Sequence, residues 1–236
     1  MKTLAPALAL TLVVGVAQPA AAQEVPHTAS PWSVSVVLGP RYHLSGSRDA
    51  FSSETVGFAP GFVLSRDLLP GDARVELAAE VGFDVEANAG SLHQAWRTTV
   101  SSFSPFAGLA LRVRALRWLL PYVRVHAGGV IHDVRLDPND NSGVLEASAW
   151  GFQGTAGLGL MFQTGTFARE GAFRRVRLAF TLEGGAMYST PVTLEAGPQA
   201  PSDARAAADR LPVPRVRLGD LDNSATYVRL GVGFRF

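Results

Sequence analysis

Ala73-Arg-Val-Glu-Leu-Ala-Ala-Glu-Val-Gly-Phe-Asp-Val-Glu86 alternates from end to end. Its odd positions hold Val75, Leu77, Ala79, Val81, Phe83 and Val85, all apolar, while its even positions carry Arg74, Glu76, Glu80, Asp84 and Glu86. Successive side chains of an extended strand point to opposite faces, so a period of two sets one dry face against one charged face. A helix would mix the two sets around its axis. The stretch predicts a half-buried β-strand, and the pattern recurs along the chain.

Working outward, Trp32–Tyr42 presents Trp32, Val34, Val36 and Leu38 on one face, and Val56–Ser65 presents Val56, Phe58, Pro60, Phe62 and Leu64. Thr99–Val113, Tyr122–His132, Ser148–Gln163 and Arg175–Ser189 behave alike, and Ala225–Phe236 closes the series. Within these windows every charge lies on the face opposite the apolar one, which eight separately phased strands would not achieve by accident. The gaps alternate in length. Those near 66–73, 114–121 and 164–174 are short; those at 43–55, 87–98, 135–147 and 190–224 are longer. Short turns at one end and long loops at the other are the habit of a membrane barrel. Eight tilted strands of about ten residues match a bilayer. Pro60 and Pro105 fall inside predicted strands and each removes a ladder donor, so Pro105 is expected to mark a bulge or the start of its membrane-embedded part.

Composition narrows the class. The chain is 47% hydrophobic and only 17% charged, with a formal net charge of +1 and no cysteine. That excludes disulfides and thiolate metal sites, and it argues against a nucleic-acid partner held by bulk charge. Leu4–Ala17 is an apolar run followed by Ala20-x-Ala22, the form of a cleavable leader rather than a spanning helix. We read residues 1–22 as a signal peptide and 23–236 as one barrel domain. No later run is apolar for long enough to span as a helix, so closing a sheet is the remaining way into a membrane.

Periodicity does not say which face meets lipid, since a soluble lipocalin-like barrel is also two-faced. Aromatics near the strand ends of the apolar faces, and polar faces dense in Gly and Ala, favour lipid outside and a narrow lumen inside. The final run, Tyr227-Val-Arg-Leu-Gly-Val-Gly-Phe-Arg-Phe236, resembles the terminal β-signal of Gram-negative outer-membrane proteins through Tyr227, Val228, Leu230, Val232, Phe234 and Phe236. With the leader and the eight strands, the mature chain is similar to small barrels of the OmpA/OmpX type. The resemblance implies an all-β fold, an eight-stranded antiparallel up-and-down transmembrane β-barrel in the outer membrane. It also implies contact with outer-membrane lipids and lipopolysaccharide, and insertion by the barrel-assembly machinery.

The candidate site is the lumen. Glu76, Glu80, Asp84, Glu86 and Glu183 project inward, as do Arg112, Arg124, Arg177, Arg229 and Arg235. In a narrow interior they are expected to form an ion-pair network, because a lone buried charge is costly. Such a network either seals the barrel or lines a narrow ion path. His126 and His132 are expected to be lumen or rim histidines: Gly128 stands where a deacylase-like His-x-Ser would need serine, and Asp133 faces away from His132. Asp137–Gly143 lacks the glycine and the closing glutamate of a calcium loop. No cofactor or metal is expected. The loop 190–224, with one or two helical turns around 203–210, is the place to look for an extracellular ligand. The expected function is a structural or interaction role for a sealed barrel. The alternative is a small OmpW-like transport barrel or narrow pore, followed by a lipid-modifying enzyme.

Overall fold

The computed structural model describes residues 32–45, 55–69, 74–92, 96–138, 144–166, 176–198 and 216–236. The leader at 1–22, the turns expected at 203–210 and most of Asp137–Gly143 lie outside them. Among the described residues ten strands follow one another: β1 (Trp32–His43), β2 (Val56–Asp67), β3 (Val75–Leu92), β4 (Trp96–Val113) and β5 (Leu119–Pro138). Then come β6 (Leu145–Thr166), β7 (Arg177–Ser189), β8 (Val192–Pro198), β9 (Val216–Leu221) and β10 (Ala225–Arg235). Each of β1 to β6 pairs antiparallel with the next, β7 pairs with β10, and β10 pairs with β1. Eight strands thus close an up-and-down barrel. β8 and β9 form a separate antiparallel hairpin, joined to the tip of β6 through Leu145↔Pro198 and Glu146↔Gly197.

The barrel is inside-out relative to a soluble one. Phe58, Trp150 and Leu230 are 61%, 67% and 63% exposed, whereas Glu76, Glu80, Asp84, Glu86, Arg112 and Glu183 are buried. Water outside would leave that wall unsatisfied; hydrocarbon outside and polar partners inside satisfy both faces. The lipocalin-like alternative, which needs the apolar face inward, is therefore set aside. The belt runs on β5–β6 from Leu119↔Phe162 to Ile131↔Trp150. Twelve steps at about 3.3 Å, tilted by about 40°, span about 30 Å, a hydrocarbon core.

Two expectations are corrected. Residues 87–98 and 135–147, read as long loops, are largely strand: β3 and β4 pair up to Leu92↔Trp96, and β5 and β6 up to Leu136↔Leu145. The loop 190–224 likewise contains β8 and β9. Above the belt the outer face meets water instead of lipid, so the apolar contrast that marked the strands fades or reverses. Pro105 does not mark a bulge either, since Phe103↔Ile131 and Phe106↔Gly128 keep one register across it. Pro60 stands where the β2–β3 ladder stops, one residue before Gly61↔Asp84.

Candidate functional site

Strand parity delivers the lumen side chains: even positions of β3, β4 and β5 and odd positions of β1, β2, β6, β7 and β10 point inward. They meet in three tiers. At the end holding the short turns, Arg235 binds Asp67 and, at 2.9 Å, Glu76; Arg112 donates to Asp67 at 2.9 Å, and Arg114 to Glu76 at 2.5 Å. In the middle, Glu80 faces Arg112 at 3.0 Å, Arg124 at 3.6 Å and His126 at 2.9 Å. Beside it, Glu183 accepts from Tyr122 at 2.7 Å, Tyr227 at 2.8 Å and Arg229 Nε at 3.0 Å, and forms an ion pair with Arg124 at 2.9 Å. In the upper tier, Arg41 reaches Asp84 at 2.5 Å and Glu86 at 3.2 Å, while His43 and Asn88 hold Glu86 at 2.8 and 2.7 Å.

Glycine makes this crowding feasible. A Cβ on Gly157 would lie 2.5 Å from the Tyr227 hydroxyl, and one on Gly185 2.6 Å from the same ring. The bare backbones of β6 and β7 are therefore the floor on which Tyr227 lies to reach Glu183. Little space remains. Two lumen cavities of about 10 and 20 Å³ flank the tiers, one beside Arg41 and Asp84 and the other beside Glu80, Arg112 and Arg124. Each has room for about one water.

Above the charges the interior turns apolar. Val100, Val134, Leu136 and Ala147 face inward over the mouth, and Val192, Leu194, Ala196 and Leu221 of the β8–β9 hairpin pack onto them. The hairpin leaves and returns to the wall at one point, where the Ser189 amide donates to Ser224 Oγ at 3.1 Å. Leu218 is an extra residue on β9 opposite the Leu194/Glu195 step, and Gly219 supplies the left-handed φ of 124° beside it. Beneath the hairpin, Ser102 Oγ lies 2.8 Å from His132 Nδ1, with both residues buried.

The structure brings together Glu76, Glu80, Asp84, Glu86, Glu183, Arg112, Arg124, Arg229 and Arg235. Arg177 stands apart: it is half-buried, registers against Arg235, and has no ion pair among the described residues. Sequence reasoning missed Arg41, His43, Asp67 and Arg114 as lumen partners. The phase was there to find them, since Arg41 shares the parity of Ser35 and Val37, and Asp67 that of Val63 and Ser65. Of the terminal run, Val228, Leu230, Val232, Phe234 and Phe236 face outward, while Tyr227 points into the lumen. His126 also stacks on Phe106 at 4.3 Å. Among the described residues no group of His, Asp and Glu is arranged to hold a metal.

No family model matches the sequence, and no curated protein matches it. Solved structures with a similar course include Ail, the attachment invasion locus protein of Yersinia pestis, at 12% identity and a TM-score of 0.45 over 88% of this chain and 99% of that one. The outer membrane protease OmpT of Escherichia coli is 8% identical, with a TM-score of 0.49 over 91% of this chain and 99% of the other. A major outer membrane protein of Thermus thermophilus is 12% identical, with a TM-score of 0.46 over 87% and 99%. At such identities the likeness is one of fold and does not reach activity. The assignment rests on this chain's own pairing and burial: it is a closed, eight-stranded antiparallel transmembrane β-barrel of the outer-membrane type.

Proposed function

We propose that the protein is a sealed outer-membrane barrel with a structural or interaction role, exercised by the head that β3–β6 and β8–β9 raise above the bilayer. The observation that carries this reading is the filled lumen: charged tiers with water-sized gaps lie beneath an apolar layer capped by a hairpin. An OmpW-like carrier needs an apolar pocket open at the wall, and an ion path needs a continuous wet column; the packing supports neither. A non-enzymatic role is favoured because the Ser102–His132 pair is shut beneath the hairpin, away from any substrate.

Export by the leader 1–22, recognition of the run Tyr227–Phe236 by the barrel-assembly machinery, and contact with lipopolysaccharide around the belt belong to the same reading. An extracellular ligand, where one is bound, would meet the head that includes the described parts of 190–224. Reconstitution in planar bilayers tests the sealed lumen. The expected trace shows no steady unitary conductance; reproducible channels would overturn the proposal and restore the narrow-pore alternative.

A further inference from the structure

We propose that the lumen binds one small monovalent anion of the halide class, in the cavity that Arg112, Arg124 and Arg235 line together. The inference rests on the reading of the barrel as closed and packed, and deepens it by naming an interior ligand.

The two lumen cavities differ in what their walls lack. On the residues lining the cavity of about 10 Å³, Asp84 Oδ1, Thr155 Oγ1 and Arg229 Nη2 are buried without a hydrogen bond among the described residues. They are an acceptor, a hydroxyl and a donor, a mixture that one water satisfies. The cavity of about 20 Å³ is different. Arg112 Nε, Arg124 Nη1 and Arg235 Nε are the buried groups of its wall that lack any partner among the described residues, and all three are N–H donors. These side chains are among the most buried of the lumen, at 1%, 5% and 3% exposure. Their other nitrogens are already engaged. Arg112 donates to Asp67, Ser65 and Glu80, Arg235 binds Asp67 and Glu76, and Arg124 Nε faces Glu183 at 2.9 Å. A donor left unmet on a buried cation is costly, and a guanidinium offers no acceptor in return. The ligand such a wall asks for accepts hydrogen bonds, needs to give none, and carries negative charge.

Charge and size point the same way. The wall sets three guanidiniums against one carboxylate, Glu80, whose two oxygens are held by Arg112 at 3.0 Å and His126 at 2.9 Å. Ser35 and Thr181 add hydroxyls that can turn to donate. Arg177 supplies an independent sign. It registers directly against Arg235 across β7–β10 and has no ion pair among the described residues. Like charges placed opposite on a ladder repel, and an anion beside Arg235 offsets that repulsion. Ala179, two residues along β7 from Arg177, lines the cavity. The volume admits a monatomic ion little larger than water and leaves no room for phosphate or a carboxylate ligand.

The test uses the full barrel purified in a non-ionic detergent. Ionic strength is held constant while sodium chloride replaces sodium gluconate, whose anion is too large for the cavity. The temperature at which the gel shift is lost should rise with chloride and then level off, as expected of a ligand held only by the folded state. Bromide should replace chloride, and crystals grown in bromide should show one anomalous peak among Arg112, Arg124 and Arg235. Ala179→Val fills the cavity without touching a charge, so this variant should stay heat-modifiable and lose both the peak and the chloride dependence. The titration and the peak of the unaltered chain decide the question even where that variant fails to insert. A gel-shift temperature that follows ionic strength whatever the anion, or water alone in the bromide crystals, overturns the proposal. So does a peak without saturable chloride dependence, which is binding at crystal concentration only, or a dependence that survives Ala179→Val. A heat-modifiable, non-conducting barrel indifferent to halide refutes this inference alone, while steady channels in planar bilayers refute the sealed lumen.

Discussion

Glu183 accepts from two phenols and from Arg229, and pairs with the Arg124 guanidinium, all within 3.0 Å. Its charge balances Arg124 and Arg229, both buried. Glu183→Gln keeps the shape and removes the charge, leaving Arg124 and Arg229 with only their longer pairs to Glu80 at 3.6 Å and Asp84 at 3.8 Å. Breaking a buried pair in this way costs about 3–5 kcal/mol. The variant should unfold at lower urea and lose its gel shift at a lower temperature, and unchanged stability would show that the tier is hydrated and loosely coupled. Asp220 is the contrast. It accepts from Thr193 at 2.6 Å and Arg217 at 3.2 Å on an exposed edge of the hairpin, and these donors hold its carboxyl below its usual range. Such a pair is screened, so Asp220→Asn should leave stability unchanged. At this scale the sequence made most of the lumen legible, because parity alone sends Glu76, Glu80 and Glu183 inward. It could not say that Arg177 would face Arg235 instead of a carboxylate, since register across β7–β10 is not written in either strand.

β5 shows why element boundaries were harder to read. Within the belt its outward residues are Val123, Val125 and Ile131, and its inward ones Arg124 and His126. Above the belt the two sets exchange character: Asp133 and Arg135 face out, while Val134 and Leu136 face in. The backbone does not change. The medium outside changes from lipid to water, and the inner face gains the β8–β9 hairpin. A reader following apolar contrast therefore ends the strand at His132, six residues before Pro138. The hairpin, in turn, lies outside the barrel ladder except at the tip of β6. Replacing 190–223 by a short Gly/Ser linker between Ser189 and Ser224, whose groups already meet at 3.1 Å, should leave a heat-modifiable barrel. The charged tiers below should also keep it non-conducting in planar bilayers. Channels appearing in this variant but not in the intact chain would make the hairpin the true seal.

For the whole molecule, closure is the decisive property. Every strand of the ring is paired on both sides over the lower part of the belt, so no open edge meets hydrocarbon there. Isolated from the outer-membrane fraction, the protein should therefore run differently on SDS gels before and after boiling, with Gln23 at its amino terminus if the leader is cut after Ala22. A soluble chain with no shift would return the face assignment to the lipocalin-like arrangement. By itself the sequence determined the period, the strand count of the ring and the face that meets lipid, because these follow from which side chains tolerate hydrocarbon. Only the tertiary structure decided which carboxylate meets which arginine, how far β3–β6 rise above the bilayer, and that part of the longest loop folds back as a hairpin over the mouth. Those outcomes depend on register and on residues remote in the chain coming together, as Arg235 does with Asp67 and as Leu194 and Val134 do within one apolar cluster. No local pattern of hydropathy encodes such pairings.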